Sequence, residues 1–542
     1  MKNIIKKIFT FQVPTEKENF IIEKEEDSVD YDVRNEEFDE EDKIVSENYN
    51  INLEYIKKRF SYPENNDFVI RKLNLKGNIR AFIIFYDGMV SASMVDLSIV
   101  ETLQKMPFIA DDKIKPDAEY IMEKYIGHGQ VMVTEKIDDI IDEVNFGSCG
   151  LFIEGLTKGF AIDVRLWINR GIQKPENEQS IYGPQEAFGE MLRTNSALVR
   201  KILKDENVIC KGVKIGNISK TRGVLMYISN IANEELIDEV ERRINGIDID
   251  YIVAIEEVSL LIEENGMMIT NHILGTERPD RVARELSEGR VALLLNGSPR
   301  ALIFPTNAFE LMHTASDAYL RAPYANMTRI IRMLAMFTSL LLPALYLAIT
   351  LFHQEMIPTF LVFAISAARE NVPFPSVIEL LLMNFSFELI REAGIRMPGT
   401  IGSTLGIVGG LILGQAAVSA KIVSPIMIII IALTGIGSFA ITDYSLGWSY
   451  RILRIIFIIL AALCGFYGVA LGIFVYLVYL GGKTSFGVPF LAPLTNGRKG
   501  SLGKSIFVSP IWKREKRPGF LDTQKEEQEP KISSKWKIRN KK

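Results

Sequence analysis

Hydrophobic residues are concentrated in one part of this chain of 542 residues, between about 333 and 480. The first run, from Met333, has about twenty residues without a charge. At 1.5 Å per residue it is long enough to cross a hydrocarbon core of ~30 Å. Three more apolar runs lie at 401–420, 422–441 and 452–480. The last is longer than one span needs and contains three glycines, so it predicts a tilted or kinked span.

An irregular apolar stretch, 357–390, separates the first of these runs from the others. Its first part, Ile357 to Ala367, is too short to span a membrane comfortably. Its second part carries Glu379, Asn384 and Glu388 among aliphatic residues. Ionisable groups at membrane depth are costly and normally face protein or water. We therefore predict that this stretch is the working part of the molecule.

If Ile357 to Ala367 is helical, one of its faces carries an apolar pair between two hydroxyls. The residues of this face are Thr359, Val362, Phe363 and Ser366. In a ring of several copies the face would form a hydrophobic gate that closes by dewetting, and an acidic vestibule from Glu355 or Glu370 would favour cations. The alternative is an ordinary buried helix of a membrane bundle, whose hydroxyls bond to their own carbonyls. Periodicity leaves both interpretations open.

The charged residues that follow also have two interpretations. Asn384 and Glu388 are i, i+4 neighbours, and Arg391 lies within one further turn, so that Glu388 could pair with Arg391. Such a pair is either structural or part of an ion path. Glu379 lies roughly opposite on the helix and needs its own partner or water.

A ridge of glycines at every fourth position occurs in the run 401–420. It consists of Gly402, Gly406, Gly410 and Gly414. Because no side chain stands in the way, a neighbouring helix backbone can approach such a ridge closely. The ridge predicts helix packing, either within one subunit or between subunits.

Lysines and arginines before the first span and after the last one predict that both ends of the membrane domain are cytoplasmic. The number of crossings is then even, and 357–390 either crosses twice or enters and leaves on one face. The turn at Gln354 to Met356 then lies outside. The same count places Arg451 and Arg454 on the outer side, which the positive-inside rule disfavours.

Polar residues dominate the rest of the chain, where strands and helices interleave. The expected fold is two cytoplasmic mixed α/β domains followed by an α-helical polytopic membrane domain. The second α/β domain has a predicted helix from Gln185 to Leu203 and a hairpin at Asn296-Gly297. The predicted divisions are a disordered acidic arm (1–49), a first soluble α/β domain (50–180), a second (181–320), the membrane domain (321–482) and a basic cytoplasmic tail (483–542).

Composition excludes several classes of function. A net charge of −5 and a pI near 5.8 offer no basic surface for nucleic acid. The three cysteines have no CxxC spacing, and the four histidines have no ligand spacing. No nucleotide-binding, metalloprotease or triad pattern occurs. We therefore expect no metal, no cofactor and no enzymatic activity.

Several segments resemble the A subunits of the bacterial spore germinant receptors, the GerA family. The resemblance covers about Ile51 to Pro518 and is most specific between Arg369 and Gly402. The segments are RGIQKPENEQSIYGPQEAFGE, TERPDRVARELSEGRVALLLNGSP, LLLPALYLAITLFHQEMIPT, ISAARENVPFPSVIELLLMNFSFELIREAGIRMPGTIGSTLGIVGGLILGQAAV and SFGVPFLAPL.

The resemblance implies a protein of the spore inner membrane that acts with a transporter-like B subunit and a lipoprotein C subunit. It also implies a homo-oligomeric ring, with a pentamer as the expected size, that responds to small nutrients and releases monovalent cations as a ligand-gated channel. The alternative is a non-conducting receptor scaffold whose soluble domains bind a germinant or signalling partner. A secondary transporter is disfavoured, since the spans contain no matching pair of broken helices.

Overall fold

The computed structural model of the protein describes residues 44–76, 78–105, 118–127, 129–166, 174–175, 178–264, 268–396, 410, 412–495 and 502–528. Most of the predicted acidic arm lies outside these residues. Its last part, 44–49, packs on the first domain, where Val45 is buried and its amide donates to the Glu135 carbonyl at 2.8 Å. The first domain therefore includes residues before the predicted boundary at 50.

The first domain, here the first sheet domain, is a five-stranded antiparallel sheet with the order β1-β2-β4-β5-β3. Its elements are α1 Tyr49–Arg59, β1 Phe68–Asn74, β2 Arg80–Tyr86, α2 Ala92–Met94 continued by a π-helical turn Val95–Val100 into α3 Glu101–Gln104, α4 Ala118–Tyr125, β3 Val131–Thr134, α5 Ile137–Asn145, β4 Cys149–Ile153 and β5 Gly159–Ile162. The apolar face of α5 is buried on the sheet. Gly159 permits this approach, since a Cβ there would lie 2.5 Å from the Ile140 side chain.

The second sheet domain has the order β6-β7-β9-β10-β8, which is the order of the first. Its elements are α6 Leu192–Ile202, β6 Val208–Ile215, β7 Thr221–Ile228, α7 Glu234–Asn245, α8 Ile255–Ile262, β8 Leu274–Thr276, α9 Pro279–Ser287, β9 Val291–Leu295 and β10 Ala301–Phe304. Each domain contains, in chain order, a helix, two strands, helical segments, a third strand, a further helix and a hairpin. The mixed α/β character predicted for each unit is confirmed, and the two units are copies of one topology.

The predicted helix from Gln185 is wrong over its first part, because α6 begins at Leu192. The preceding residues are held in an irregular conformation by the second sheet domain. Arg278 donates to the Pro184 carbonyl at 2.7 Å, and the Phe188 amide donates to the Glu277 carbonyl at 2.8 Å. Tertiary hydrogen bonds thus satisfy backbone groups that a helix would otherwise pair.

A buried ion pair joins the two sheet domains. Arg200 on α6 donates to Asp67 at 2.8 Å and to Asn65 at 2.9 Å, and its guanidinium lies 3.9 Å from the centre of the Tyr86 ring. A guanidinium buried this deeply needs several partners to offset its lost hydration. The contact therefore fixes the orientation of one sheet domain against the other.

An apolar helical region follows the sheet domains, and the predicted helical character of this part of the chain is confirmed. Its elements are α10 Ala322–Phe352, α11 Thr359–Arg369, α12 Ser376–Arg396, a helical stretch at 412–419, α13 Pro425–Phe439 and α14 Tyr444–Gly481. In the described part of the chain, α10 and α14 are the two helices long and apolar enough to cross a membrane.

The helix α14 consists of two antiparallel arms, 444–464 and 466–481, so the kink that we predicted as one alternative is present and amounts to a full reversal. The chain reverses at Gly465, which has φ +58° and ψ −136°. A Cβ at Gly472 would lie 2.7 Å from the Phe457 ring, although these residues would be about 22 Å apart in a straight helix. A Cβ at Gly468 would overlap the Leu460 carbonyl. The glycines thus allow two arms of one element to pack closely.

Both arms of α14 end at the second sheet domain. Asn271 donates to the Ser445 hydroxyl at 3.2 Å near the start of the first arm. After the second arm, Ser485 donates to the His272 carbonyl at 2.8 Å. The tip at Gly465 therefore marks the end of the helical region opposite the sheet domains, which we call the far end.

The direction of α12 and α13 corrects the predicted position of two arginines. Both helices run from the far end toward the sheet domains, and Thr442, just after α13, donates to the Leu311 carbonyl at 2.6 Å. Arg451 and Arg454 lie two to three turns into α14 from this same side, near the sheet domains. The prediction placed them at the opposite end because it counted 357–390 as an even number of crossings and 452–480 as one.

Candidate membrane gate and buried charge cluster

The four residues predicted as a gate lie on the short helix α11. Thr359, Phe363 and Ser366 are exposed in the single chain, and Val362 is half-buried. No residue of α11 is fully buried, and Phe360 and Phe363 are 88% and 69% exposed. The α-helical conformation places the four residues on one face. Val362 also belongs to the half-buried side of α11, together with Ile365 and Arg369.

Two of the predicted acids occupy different surroundings at the far end. Glu355 is exposed in a 3-10 turn, Gln354–Met356, that follows α10. Glu379 is buried, and its carboxylate accepts a short hydrogen bond from the Ser424 amide, which caps α13. The start of a helix carries partial positive charge and unpaired amides, and it is a favourable place for a carboxylate. Glu379 thus has a structural partner that spacing did not reveal.

Asn384 and Glu388 lie next to arginines of two helices. Asn384 is buried and accepts from Arg454 at 3.0 Å. Glu388 lies 3.8 Å from Arg391, its predicted partner, and also 3.7 Å from Arg451 and 3.9 Å from Arg454. Three guanidinium groups therefore surround one carboxylate. We call these four charged residues the arginine cluster.

Arg454 is anchored more firmly than the other arginines of the cluster. Its side chain is 1% exposed and donates to the carbonyl of Ser339 at 2.8 Å and to the Ser339 hydroxyl at 3.1 Å. Periodicity along α12 could not reveal Arg451 or Arg454, because they are more than sixty residues further along the chain. Their only sequence signal is the conflict with the positive-inside rule.

Half of the predicted glycine ridge falls within the described residues. A Cβ at Gly414 would lie 3.9 Å from Ile428, an ordinary contact, and one at Gly410 would meet nothing within 4 Å in the described part of the chain. Gly402 and Gly406 lie outside the described residues. A tighter approach occurs at Gly437, where a Cβ would lie 2.7 Å from the Ala335 carbonyl of α10. The glycine contact between α13 and α10 is therefore closer than either contact of the ridge.

A buried carboxylate ties α10 to the second sheet domain. Asp317 accepts from Arg329 at 2.9 Å and forms a shorter bond with Arg332, and Arg332 also donates to the Met312 carbonyl at 2.9 Å. These contacts, with burial opposing them, hold the pKa of Asp317 below its usual value. These contacts thus hold the first turns of α10 against the second sheet domain.

Two titratable groups, buried His272 and half-buried Glu263, lie where α14 returns to the second sheet domain. Burial raises the pKa of Glu263 to about 7 and lowers the pKa of His272 to about 4. The Glu263 carboxyl accepts from the His272 amide at 3.3 Å, and the imidazole lies 4.3 Å from the Phe490 ring. Both side chains are therefore neutral between about pH 4 and pH 7.

We expect Glu263 and His272 to have opposite effects on the pH dependence of stability. The folded protein binds more protons at Glu263 than the unfolded chain, so this contribution to the free energy of unfolding falls as pH rises from about 4.5 to 7. At His272 the unfolded chain binds more protons than the folded protein. The contribution of His272 to the free energy of unfolding therefore rises from about pH 4 to 6.5. Glu263→Gln should leave only the rise due to His272, and His272→Phe should leave only the fall due to Glu263. Each variant should change the free energy of unfolding by at most ~3 kcal/mol relative to the unsubstituted protein. Unfolding of the full chain in detergent across this range measures both, and parallel curves would contradict the assignment.

Two repeated antiparallel sheet domains, followed by apolar helices with a short uncovered helix and a buried charge cluster, define a membrane-associated protein with a large polar portion. The chain belongs to the Bacillus/Clostridium GerA spore germination protein family, whose profile matches residues 54–520. Its relatives include A subunits of spore germination receptors.

Spore germination protein KA of Bacillus subtilis (strain 168) is 37% identical over 479 residues, which cover 88% of this chain and 87% of that protein. Spore germination protein GerLA of Bacillus cereus is 33% identical over 470 residues, covering 86% and 94%. The crystal structure of the N-terminal domain of the A subunit of the Bacillus megaterium spore germinant receptor GerK3 aligns with a TM-score of 0.38 at 28% identity, covering 48% of this chain and 95% of that chain.

Proposed function

We propose that this chain is the A subunit of a nutrient-responsive germination receptor and that several copies form a ring around a gated cation path. The observation that carries the proposal is the lack of cover on α11. An apolar helix with no buried residue in a single chain needs other apolar groups around it. A second copy of the same helix, related by rotation about an axis, supplies them and turns Thr359, Val362, Phe363 and Ser366 inward.

The proposed topology has six crossings. They are α10, α12, the stretch that ends at 419, α13 and the two arms of α14. The far end is then outside, and the sheet domains and both chain ends are cytoplasmic, as the positive-inside rule favours. The short helix α11, about 16 Å long, does not cross; it lines the outer half of the path. Membership of the GerA family supports placement in the spore inner membrane, with transporter-like B and lipoprotein C subunits as partners and monovalent cations as the released ions.

The arginine cluster removes Glu388 from our proposed cation path. A carboxylate among three guanidinium groups has no excess negative charge to offer a cation. Glu379 is likewise taken by the start of α13. Glu355, exposed beside α11, is the acid that the proposal places at the mouth of the path.

An image of the solubilised full-length protein, with its mass, tests the ring. We expect several copies around one axis, with five as the expected number and α11 nearest the axis. A single copy, or a ring with α11 at its rim, would leave the proposed gate without a pore.

A second candidate is a non-conducting scaffold whose sheet domains bind the germinant. The observation in its favour is a cavity of about 380 Å³ beside α1 and the first two strands, lined by Tyr49, Lys72 and Arg80 among others. Germinant binding to a purified protein that never conducts in liposomes would favour this function.

A further inference from the structure

The arginine cluster carries more positive charge than the described residues of its own chain neutralise. Arg391 has a side chain only 7% exposed, yet its Nε and Nη1 have no hydrogen-bond partner among the described residues. The same holds for Nε of Arg451 in the part of the chain that the structure describes. The distances to Glu388, 3.7 to 3.9 Å, are longer than direct hydrogen bonds. One carboxylate faces three arginines, which leaves an excess of two positive charges.

No acid of the sequence between α12 and α14 removes this excess. There is no aspartate or glutamate between Glu392 and Asp443, a range that includes the residues outside the structural description. Glu392 is paired with Arg396 at 2.7 Å, and Asp443 caps α14 by accepting from the Leu446 amide. Neither 393–442 nor the two flanking acids can neutralise the cluster, which makes a group from another molecule the candidate.

The position of the cluster indicates which molecule that is. Arg391 lies about 8 Å from the end of α12, and Arg451 about 10 Å from the start of α14, both on the side of the sheet domains. The guanidinium of Arg451 lies 4.4 Å from the centre of the Trp448 ring, and Trp448 and Tyr444 are exposed. Tryptophan and tyrosine concentrate where the hydrocarbon core meets the headgroups. This is the depth of lipid phosphates.

We propose that the cluster binds the headgroup phosphate of an anionic phospholipid in the leaflet next to the sheet domains. Arginine presents a planar fork of donors that matches phosphate oxygens, and Arg391 and Arg451 have the unused donors. Basic pockets between membrane helices are suited to such headgroups. Arg454, held by Ser339 and Asn384, contributes charge without moving. The inference rests on the proposed membrane insertion and not on conduction.

Lipid retention by the full-length protein tests this site. Purified protein is placed in nanodiscs of phosphatidylcholine and phosphatidylglycerol, and bound lipid is measured by native mass spectrometry. We expect Arg391→Gln and Arg451→Gln each to weaken retention of phosphatidylglycerol about fivefold relative to phosphatidylcholine. Arg396→Gln is the matched control, since this exposed arginine of the same helix already has Glu392, and it should change nothing.

Two further measurements keep the test decisive if a glutamine variant fails to fold. Glu388→Gln removes the one counter-charge and should increase phosphatidylglycerol retention. In the unsubstituted protein, inorganic phosphate should not displace the lipid. Equal retention of phosphatidylglycerol in all variants would overturn the proposal. Full displacement of the lipid by inorganic phosphate would also overturn it, because the cluster would then be a site for a free anion. Loss of the preference for phosphatidylglycerol when copies of the protein assemble would also overturn the proposal, since an acid of a second copy would then neutralise the cluster. A protein that fails to insert into the membrane gives a different result, because it retains less of both lipids.

Discussion

Replacing Val362 by serine should make the assembled receptor leak monovalent cations without nutrient. Val362 is the apolar position between the hydroxyl turns of Thr359 and Ser366, and a hydrophobic constriction closes by excluding water. A valine side chain contributes about 1.5–3 kcal/mol to apolar burial. A fall of ~1.4 kcal/mol in a barrier is a tenfold rise in rate, so we expect at least a tenfold faster potassium leak. Potassium retention in dormant spores and flux from liposomes measure it.

The matched control for this change is Val475→Ser. Val475 is exposed on the second arm of α14, so the same chemical change occurs away from α11. It should leave potassium retention unchanged. Normal potassium retention and dormancy in a correctly assembled Val362→Ser receptor would count against the gate and favour the scaffold.

A membrane-impermeant maleimide should label the native Cys464 from the side opposite the sheet domains. Cys464 lies next to the reversal at Gly465 and is exposed, so the hairpin places it at the far end. A straight α14 of 38 residues would be about 57 Å long and would hold Cys464 inside the hydrocarbon core. Labelling is therefore expected to be much faster with the hairpin than with a straight helix.

The other two cysteines do not interfere with this measurement. Cys149 and Cys210 are buried in the sheet domains, and burial raises the pKa of both thiols, which keeps them unreactive. Cys464→Ser should abolish the label. Labelling that needs access from the side of the sheet domains would refute the proposed six-crossing topology.

Local pattern predicts the elements whose partners are close in sequence. The hairpin around Asn296-Gly297 is present, with Ala301 opposite Leu294. The short helix after Met356 is also present, and helical spacing alone is enough to put the four residues proposed for the gate on one face. In contrast, the segment before Leu192 is irregular where local pattern predicts a helix, since Arg278 and Glu277 determine its conformation from about ninety residues away.

The sequence by itself determined the division into polar and apolar halves and the unusual character of α11, because composition and periodicity are properties of neighbouring residues, and its segments already resembled the family. Only the tertiary structure decided that α14 reverses at Gly465, that Glu379 accepts from the amide at the start of α13, and that Glu388 lies among three arginines. Each depends on residues far apart in the chain meeting where water is excluded. There a buried charge must find a partner, and distance along the sequence does not limit which one it finds.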